Sequence, residues 1–179
     1  KLFTQEDDIF TNSNMTRVYF RIVKDCIEKK IISTPHYGIA LTFSNEILTL
    51  CTGLVSMIIV GRNVREITSN EMLGKPRTIT TLNRTHGPIS PYHNEGEALV
   101  YNVITEPLIA TNPILPDDKW LIIMSASVRD SLAFDEIVSI ANNGTSPGEL
   151  AFALRNAAQG NMCMDNISVI AIDLSTVRI

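Results

Sequence analysis

The sequence predicts an α+β fold, an antiparallel β-sandwich flanked by helices, and three observations predict it. Between residues 37 and 60 three short apolar runs follow one another with only a few residues between them. Parallel strands need a crossover of about a dozen residues or more, so such spacing calls for hairpins. Helical periodicity is gathered into blocks, one near the N-terminus and two in succession near the C-terminus. Strands that mostly follow one another, with helices set apart, argue for sheets packed face to face with helices outside. At 179 residues, 45% hydrophobic and 19% charged, the chain is long enough to bury a full core as one domain spanning 1–179.

Taken in order, residues 1–14 are polar, with Glu6-Asp7-Asp8, and read as a loop or weak helix. From Thr16 the pattern is helical: Tyr19, Ile22, Val23, Cys26 and Ile27 recur on one face. Thr34-Pro35 sets its limit, because the residue before proline disfavours helical geometry. Strands follow at Tyr37–Phe43, Glu46–Thr52 and Leu54–Val60, with a tight turn at Ser44-Asn45 and punctuation at Gly53 and Gly61-Arg62-Asn63. Arg65–Thr68 adds a short fourth. Residues 69–97, with Gly74, Pro76, Gly87, Pro88, Pro91 and Gly96, lack periodicity and read as an irregular loop or insertion. Ala98–Ile104 reads as a strand, Asn112–Asp118 as a turn region with two prolines, and Lys119–Met124 as a buried strand.

Leu132–Ala141 is the next helix, with Phe134, Ile137, Val138 and Ala141 on its inner face and Gly144 as a left-handed cap. Ser146-Pro147-Gly148-Glu149 opens another: serine at the N-cap, proline at the first helical position and glutamate at the third form a capping box. That helix buries Leu150, Ala153, Leu154 and Ala157 and stops at Gly160. Ile167–Asp173 is the last strand.

Charge and cysteine content narrow the function. The net charge is −4, and the basic residues are scattered, with Lys29-Lys30 the one basic pair, so no nucleic-acid surface is expected. No apolar run approaches the roughly 18 residues of a membrane span. Cys26, Cys51 and Cys163 are odd in number and lack metal-ligand spacing, which suggests reduced thiols in a cytoplasmic chain. The Asn-x-Ser/Thr matches at Asn14, Asn83, Asn143 and Asn166 are then fortuitous.

The most informative stretch is Ser125-Ala126-Ser127-Val128-Arg129-Asp130, polar residues delivered at the end of the apolar run Trp120–Met124. With Asp117-Asp118 before that run and Asp165-Asn166-Ile167-Ser168 before the last strand, it resembles the metal-dependent type 2C protein phosphatases. Those carry an acidic residue, an apolar strand, Ser-Asp-Gly-x-x-Asp and a helix, followed by a second helix, Asp-Asn-(Ile/Val)-Thr and a final strand. Glu106-Pro107 matches an upstream Glu-Pro of that family, and the resemblance covers residues 104–173. Upstream it thins. Gly53 and Gly61-Arg62-Asn63 can be placed on the family's Gly-Asp-Ser hairpin, but Leu54 or Val55 stands where its aspartate belongs. Ile67-Thr68 resembles the Leu-Thr that follows. The family's Ser-Arg-x-x-Gly-Asp is not recognisable between Gly74 and Tyr101. The N-terminal strands bearing Asp-Gly-His-Gly-Gly are missing, as though Lys1 came after them.

The resemblance implies a type 2C phosphatase-like sandwich whose enzymes use two Mg²⁺ or Mn²⁺ ions to hold a water and orient a phosphoryl group. Hard cations need oxygen ligands, chiefly carboxylates. Ala126 replaces a metal aspartate with a methyl group, and Asp165 is the one retained ligand position. A single carboxylate does not offset the repulsion of two dications. The expectation is therefore a degenerate pseudophosphatase with no catalytic residues, no metal site and no cofactor.

Plainer roles suit the remaining candidates. Asp165 is read as capping a turn through its carboxylate, and Asp130 as an exposed helix-start residue favoured by the helix dipole. His36, His86 and His93 share no ligand spacing, although His86 and His93 lie near Glu95 and Glu97. Ser125 and Ser127 lack the glycine elbow of a nucleophile. The expected function is a protein-interaction or regulatory scaffold that binds another protein or another domain of its own polypeptide, without nucleic acid or membrane insertion. Candidate surfaces are Gly74–Glu97 and the rim near Ala126. Degenerate family members serve as an adaptor of a stress-pathway kinase or adjoin leucine-rich repeats in fungal adenylate cyclases, so a regulatory segment of such a multidomain enzyme is one alternative. The other is an active serine/threonine phosphatase whose remaining ligands lie before Lys1.

Overall fold

A computed structural model describes residues 11–29, 37–43, 45–52, 55–68 and 107–177. Its elements are α1 (Asn12–Glu28), β1 (Tyr37–Phe43), β2 (Glu46–Thr52), β3 (Val55–Val60), β4 (Val64–Glu66), β5 (Leu108–Pro113), β6 (Trp120–Ser125), α2 (Ala126–Ser131), α3 (Phe134–Asn143), α4 (Pro147–Gly160) and β7 (Val169–Asp173). The strands form two antiparallel sheets, β1-β2-β5 and β4-β3-β6-β7. The expected α+β sandwich with helices outside is the fold observed. The expected loop at 69–97, the strand at Ala98–Ile104, Thr34-Pro35, Glu106, the three histidines and the Cys26 side chain lie outside the described residues. No helix among the described residues is long and apolar enough to cross a membrane.

Strand alternation builds four layers. Residues of one parity face the other sheet: Met57 and Ile59 of β3, Leu121 and Ile123 of β6 and Ile172 of β7 meet Ile47, Cys51 and Ala40 of the three-stranded sheet. The opposite parity, Ile58, Val60, Trp120, Ile122 and Met124, packs under Val128, Leu132, Ile137, Ala141, Leu150, Leu154 and Ala158. On the far side Leu48 and Leu50 receive Met15 and Tyr19 of α1. The buried Trp120 Nε1–H donates to Ala141 O at 2.9 Å, tying β6 to α3.

Polar anchors set the edges. Asp118, 4% exposed, pairs with Arg65 of β4 and accepts the Leu115 N–H at 2.7 Å. The Thr68 hydroxyl, fully buried, accepts the Met57 N–H at 2.7 Å and stitches the chain after β4 back onto β3. Gly61 lets the β3–β4 turn lie against the 117–118 loop: a Cβ there would stand 2.4 Å from Asp117 O and 2.7 Å from Asp118 Cα.

Several expectations need correction. The first helix starts at Asn12, four residues before Thr16, and Met15 and Val18 join Tyr19 on its buried side. β5 was not expected, and it takes in Asn112 and Pro113 of the supposed turn region; proline is tolerated because it ends the strand at the sheet margin. A separate helix, α2, precedes the expected one, which starts at Phe134 rather than Leu132. Gly144 is extended (φ −66°, ψ 131°), not left-handed. The capping box is half made: Ser146 Oγ accepts the Glu149 N–H at 3.3 Å, but the Glu149 carboxylate turns to the Thr145 hydroxyl. The inner face of α4 is Leu150, Leu154 and Ala158, with Ala153 exposed. β7 begins at Val169, two residues after Ile167.

The end of α4 is unusual. Cys163 N–H donates to Ala158 O and Met162 N–H to Gln159 O, both at 3.0 Å, the paired bonds of a Schellman cap. Its left-handed residue is Met162 (φ 57°), where glycine avoids the Cβ clash. Two stability outcomes are expected. Gly61→Ala lowers unfolding free energy by about 1–3 kcal/mol, because the added methyl meets backbone that cannot rotate away. Met162→Gly raises it by up to about 1 kcal/mol by relieving the left-handed strain. Urea unfolding followed by circular dichroism checks both.

Candidate functional site

The site lies where β6 ends. Register fixes it: Val55 pairs with Ser125 across β3–β6, and Ser125 N–H donates to Ser168 O at 3.0 Å beyond the last β6–β7 pair. Val55, Ser125 and Ser168 thus form one row across three strands. Alternation aims that row at the inter-sheet side, in line with Met57, Ile123 and Ile170 behind it.

Immediately after the row the chain turns into α2. Ala126 is its first residue and half-buried; Val128 is fully buried under the helices. Two hydroxyls close the mouth. Ser125 Oγ and Ser127 Oγ are 2.8 Å apart, and both donate to Asn166 O, at 3.2 and 2.6 Å. Ser125 Oγ also accepts the Ser168 N–H at 3.3 Å. The Cys163 thiol donates weakly to Ser127 O at 3.5 Å. The start of α2 and the 163–168 segment are therefore clasped by protein hydrogen bonds. The family pattern has glycine at Ser127, so this serine supplies a hydroxyl that the pattern lacks.

Asp165 is exposed, and its Oδ1 accepts the adjacent Asn166 N–H at 2.7 Å. Asp130 is exposed and next to last in α2, so its expected place at a helix start, with its dipole benefit, is not observed. Arg129, the one basic residue of α2, turns away from the mouth. Its Nε stands 3.7 Å from Glu66 of β4, and its guanidinium lies 5.3 Å from the Phe134 ring centre. The structure brings Ser125, Ala126, Ser127, Asn166 and Ser168 together and leaves Asp165 on the rim.

The resemblance implies two divalent cations here, and the described residues of the mouth do not fit them. The mouth offers a valine isopropyl, an alanine methyl and three serine hydroxyls, two of which donate to a carbonyl. Among the described residues no group of three or more His, Cys, Asp or Glu side chains could hold a metal ion. Sequence reasoning missed the Ser127 clasp. The signal was there, a hydroxyl where the pattern has glycine, but the partner is a carbonyl 39 residues away.

Comparisons with known proteins point the same way on family and fold. The family model described as protein phosphatase 2C matches residues 70–167. A bacterial serine phosphatase structure superposes with a TM-score of 0.63 at 15% identity, covering 97% of this chain and 72% of that one. A serine-threonine phosphatase 2C from Toxoplasma gondii gives 0.67 at 15%, covering 90% and 66%. Serine/threonine phosphatase Stp1 from Staphylococcus aureus gives 0.61 at 15%, covering 96% and 69%. At these identities the likeness is one of fold. No curated protein matched.

The clasp yields a prediction. Ser127→Ala removes the 2.6 Å bond to Asn166 O and lowers stability by about 1 kcal/mol. Ser127→Thr, which keeps the hydroxyl, loses less, as thermal unfolding of the two variants will show.

Proposed function

The chain belongs to the protein phosphatase 2C family, and from that premise we propose that it is a non-catalytic phosphatase-like domain, a protein-interaction or regulatory scaffold. One observation carries the reading: the row Val55, Ser125 and Ser168 and the adjoining Ala126 bring no carboxylate to the place where the family's chemistry needs several. Phosphoryl transfer by two metal ions depends on anions that hold the ions together and orient the attacking water. Here the groups facing one another are apolar or already hydrogen-bonded.

Retention of the surrounding fold supports a scaffold. The buried strand, short helix, capped helix, turn and final strand all stand in family order, which keeps the surface around the mouth in place. The partner is another protein or another domain of the same polypeptide. A cytoplasmic setting suits Cys51 and Cys163, neither of which forms a disulfide among the described residues.

A second reading, an active Mg²⁺- or Mn²⁺-dependent serine/threonine phosphatase, is favoured by Asp165, which stays exposed at a family ligand position. Its other ligands would come from residues outside those described. The two readings part on turnover. We expect no hydrolysis of a phosphothreonine peptide with Mn²⁺ above a heat-treated control, and no heat of Mn²⁺ binding by calorimetry. Turnover that Asp165→Ala abolishes would establish the enzyme reading and sink the scaffold.

A further inference from the structure

The junction between α3 and α4 carries a reactive pair that plays no part at the mouth. Asn143 ends α3 and Gly144 follows it; of the asparagines in the chain, this one alone precedes glycine. Asn143 is exposed and Gly144 half-buried. Asparagine is a thermolabile residue. Its Cγ can close a five-membered ring with the backbone nitrogen of the next residue. A side chain on that next residue hinders the approach, and glycine has none.

Local structure decides whether the ring can close. A helical ψ at Asn143 holds Cγ away from Gly144 N, so that torsion must rotate first. Because Asn143 is the last helical residue, rotation there leaves the helix before it in place. It breaks the backbone bond from Gly144 N–H to Ala141 O, a long one at 3.2 Å. The side chain must also release its own bond, Asn143 Nδ2 to Ser139 O at 2.8 Å. Each of these two bonds holds the pair apart by about tenfold at most. The Lys119 ammonium, 3.0 Å from Gly144 O, places a positive charge near the nitrogen that must lose its proton.

We infer that Asn143 is a site of spontaneous covalent modification that loosens the junction between α3 and α4. Gly144 N, its proton passed to water, attacks Asn143 Cγ. The new C–N bond closes a cyclic imide; the Cγ–Nδ2 bond breaks and ammonia leaves. Water then opens the ring at either carbonyl. One opening leaves an aspartyl residue. The other leaves an isoaspartyl residue, whose backbone runs through the former side chain. The sum is one water consumed and one ammonia released, with no oxidant and no cofactor.

The product destabilises the place that made it. A carboxylate accepts hydrogen bonds and does not donate them, so the bond to Ser139 O is lost. Its negative charge stands at the C-terminal end of α3, the unfavourable end for an anion. Lys119 can turn to the new carboxylate only by giving up its bond to Gly144 O. The isoaspartyl form also lengthens the chain where space is tight. A Cβ on Gly144 would already stand 3.3 Å from Leu150 Cβ of α4.

The test is mass mapping of the folded chain during incubation in warm neutral buffer, beside a synthetic peptide of residues 140–147. The fragment containing residue 143 should gain the mass difference between an amide and an acid and split into two species of equal mass. Conversion in the folded chain should run within about a hundredfold of that in the free peptide. Gly144→Ala should slow conversion in the peptide, where folding plays no part. Asn143→Asp should lower the unfolding midpoint of the chain by about 2–4 °C, and by less at high salt. No conversion in the folded chain while the peptide converts overturns the modification site. An unchanged midpoint in Asn143→Asp overturns the loosening of the junction.

Discussion

The pairing of β3 with β6 is the constraint on which the rest of the structure depends. All six residues of β3 are buried, and β6 is buried along most of its length, because these two strands form the middle of the four-stranded sheet with a layer on each face. A one-residue slip would turn Ile58 and Ile122 from the helices toward the other sheet and send Met57 and Ile123 the opposite way. Burial on both faces forbids that slip. The same register places Val55 beside Ser125, so the composition of the mouth is decided by packing far below it. The buried Thr68 hydroxyl and the Asp118–Arg65 pair hold the edges of this register.

Much of this was legible in the chain. The β1–β2 hairpin showed its limits plainly, since Phe43 and Glu46 pair with two residues left for the turn. Ser146, Pro147 and Glu149 announced the start of α4, because capping is a local matter of a few side chains. The run Trp120–Met124 announced β6, whose end carries Ser125 and Ala126. What was hidden depended on distant partners. β5 has a weak alternation and ends in proline, and it becomes a strand only because β2 offers it a ladder. α2 is too short to show periodicity, and it forms because Val128 reaches the core and Ser127 reaches Asn166. The helix caps misled in both directions: Gly144 sits in ordinary extended geometry, while the left-handed position falls to Met162.

The mouth is held together by the chain's own hydrogen bonds. A metal bound between the end of β6 and the turn before β7 would bridge two segments more than 30 residues apart. Here the bridge is made of the Ser125 and Ser127 hydroxyls and the Asn166 carbonyl. Such bonds contribute modestly to stability. The geometry of the rim is therefore held by groups the chain itself carries.

The indole of Trp120 has a further consequence. It is the single tryptophan of the chain, 1% exposed, and its N–H is committed to Ala141 of α3 while Lys119 lies 4.8 Å from its ring centre. Intrinsic emission from this protein is thus a local gauge, reading the interface between α3 and the four-stranded sheet and little else. Departure of α1 from the other sheet would leave that emission unmoved. Far-ultraviolet dichroism, which counts every helix, would register it, so disagreement between the two signals would locate the side of the sandwich that opens first.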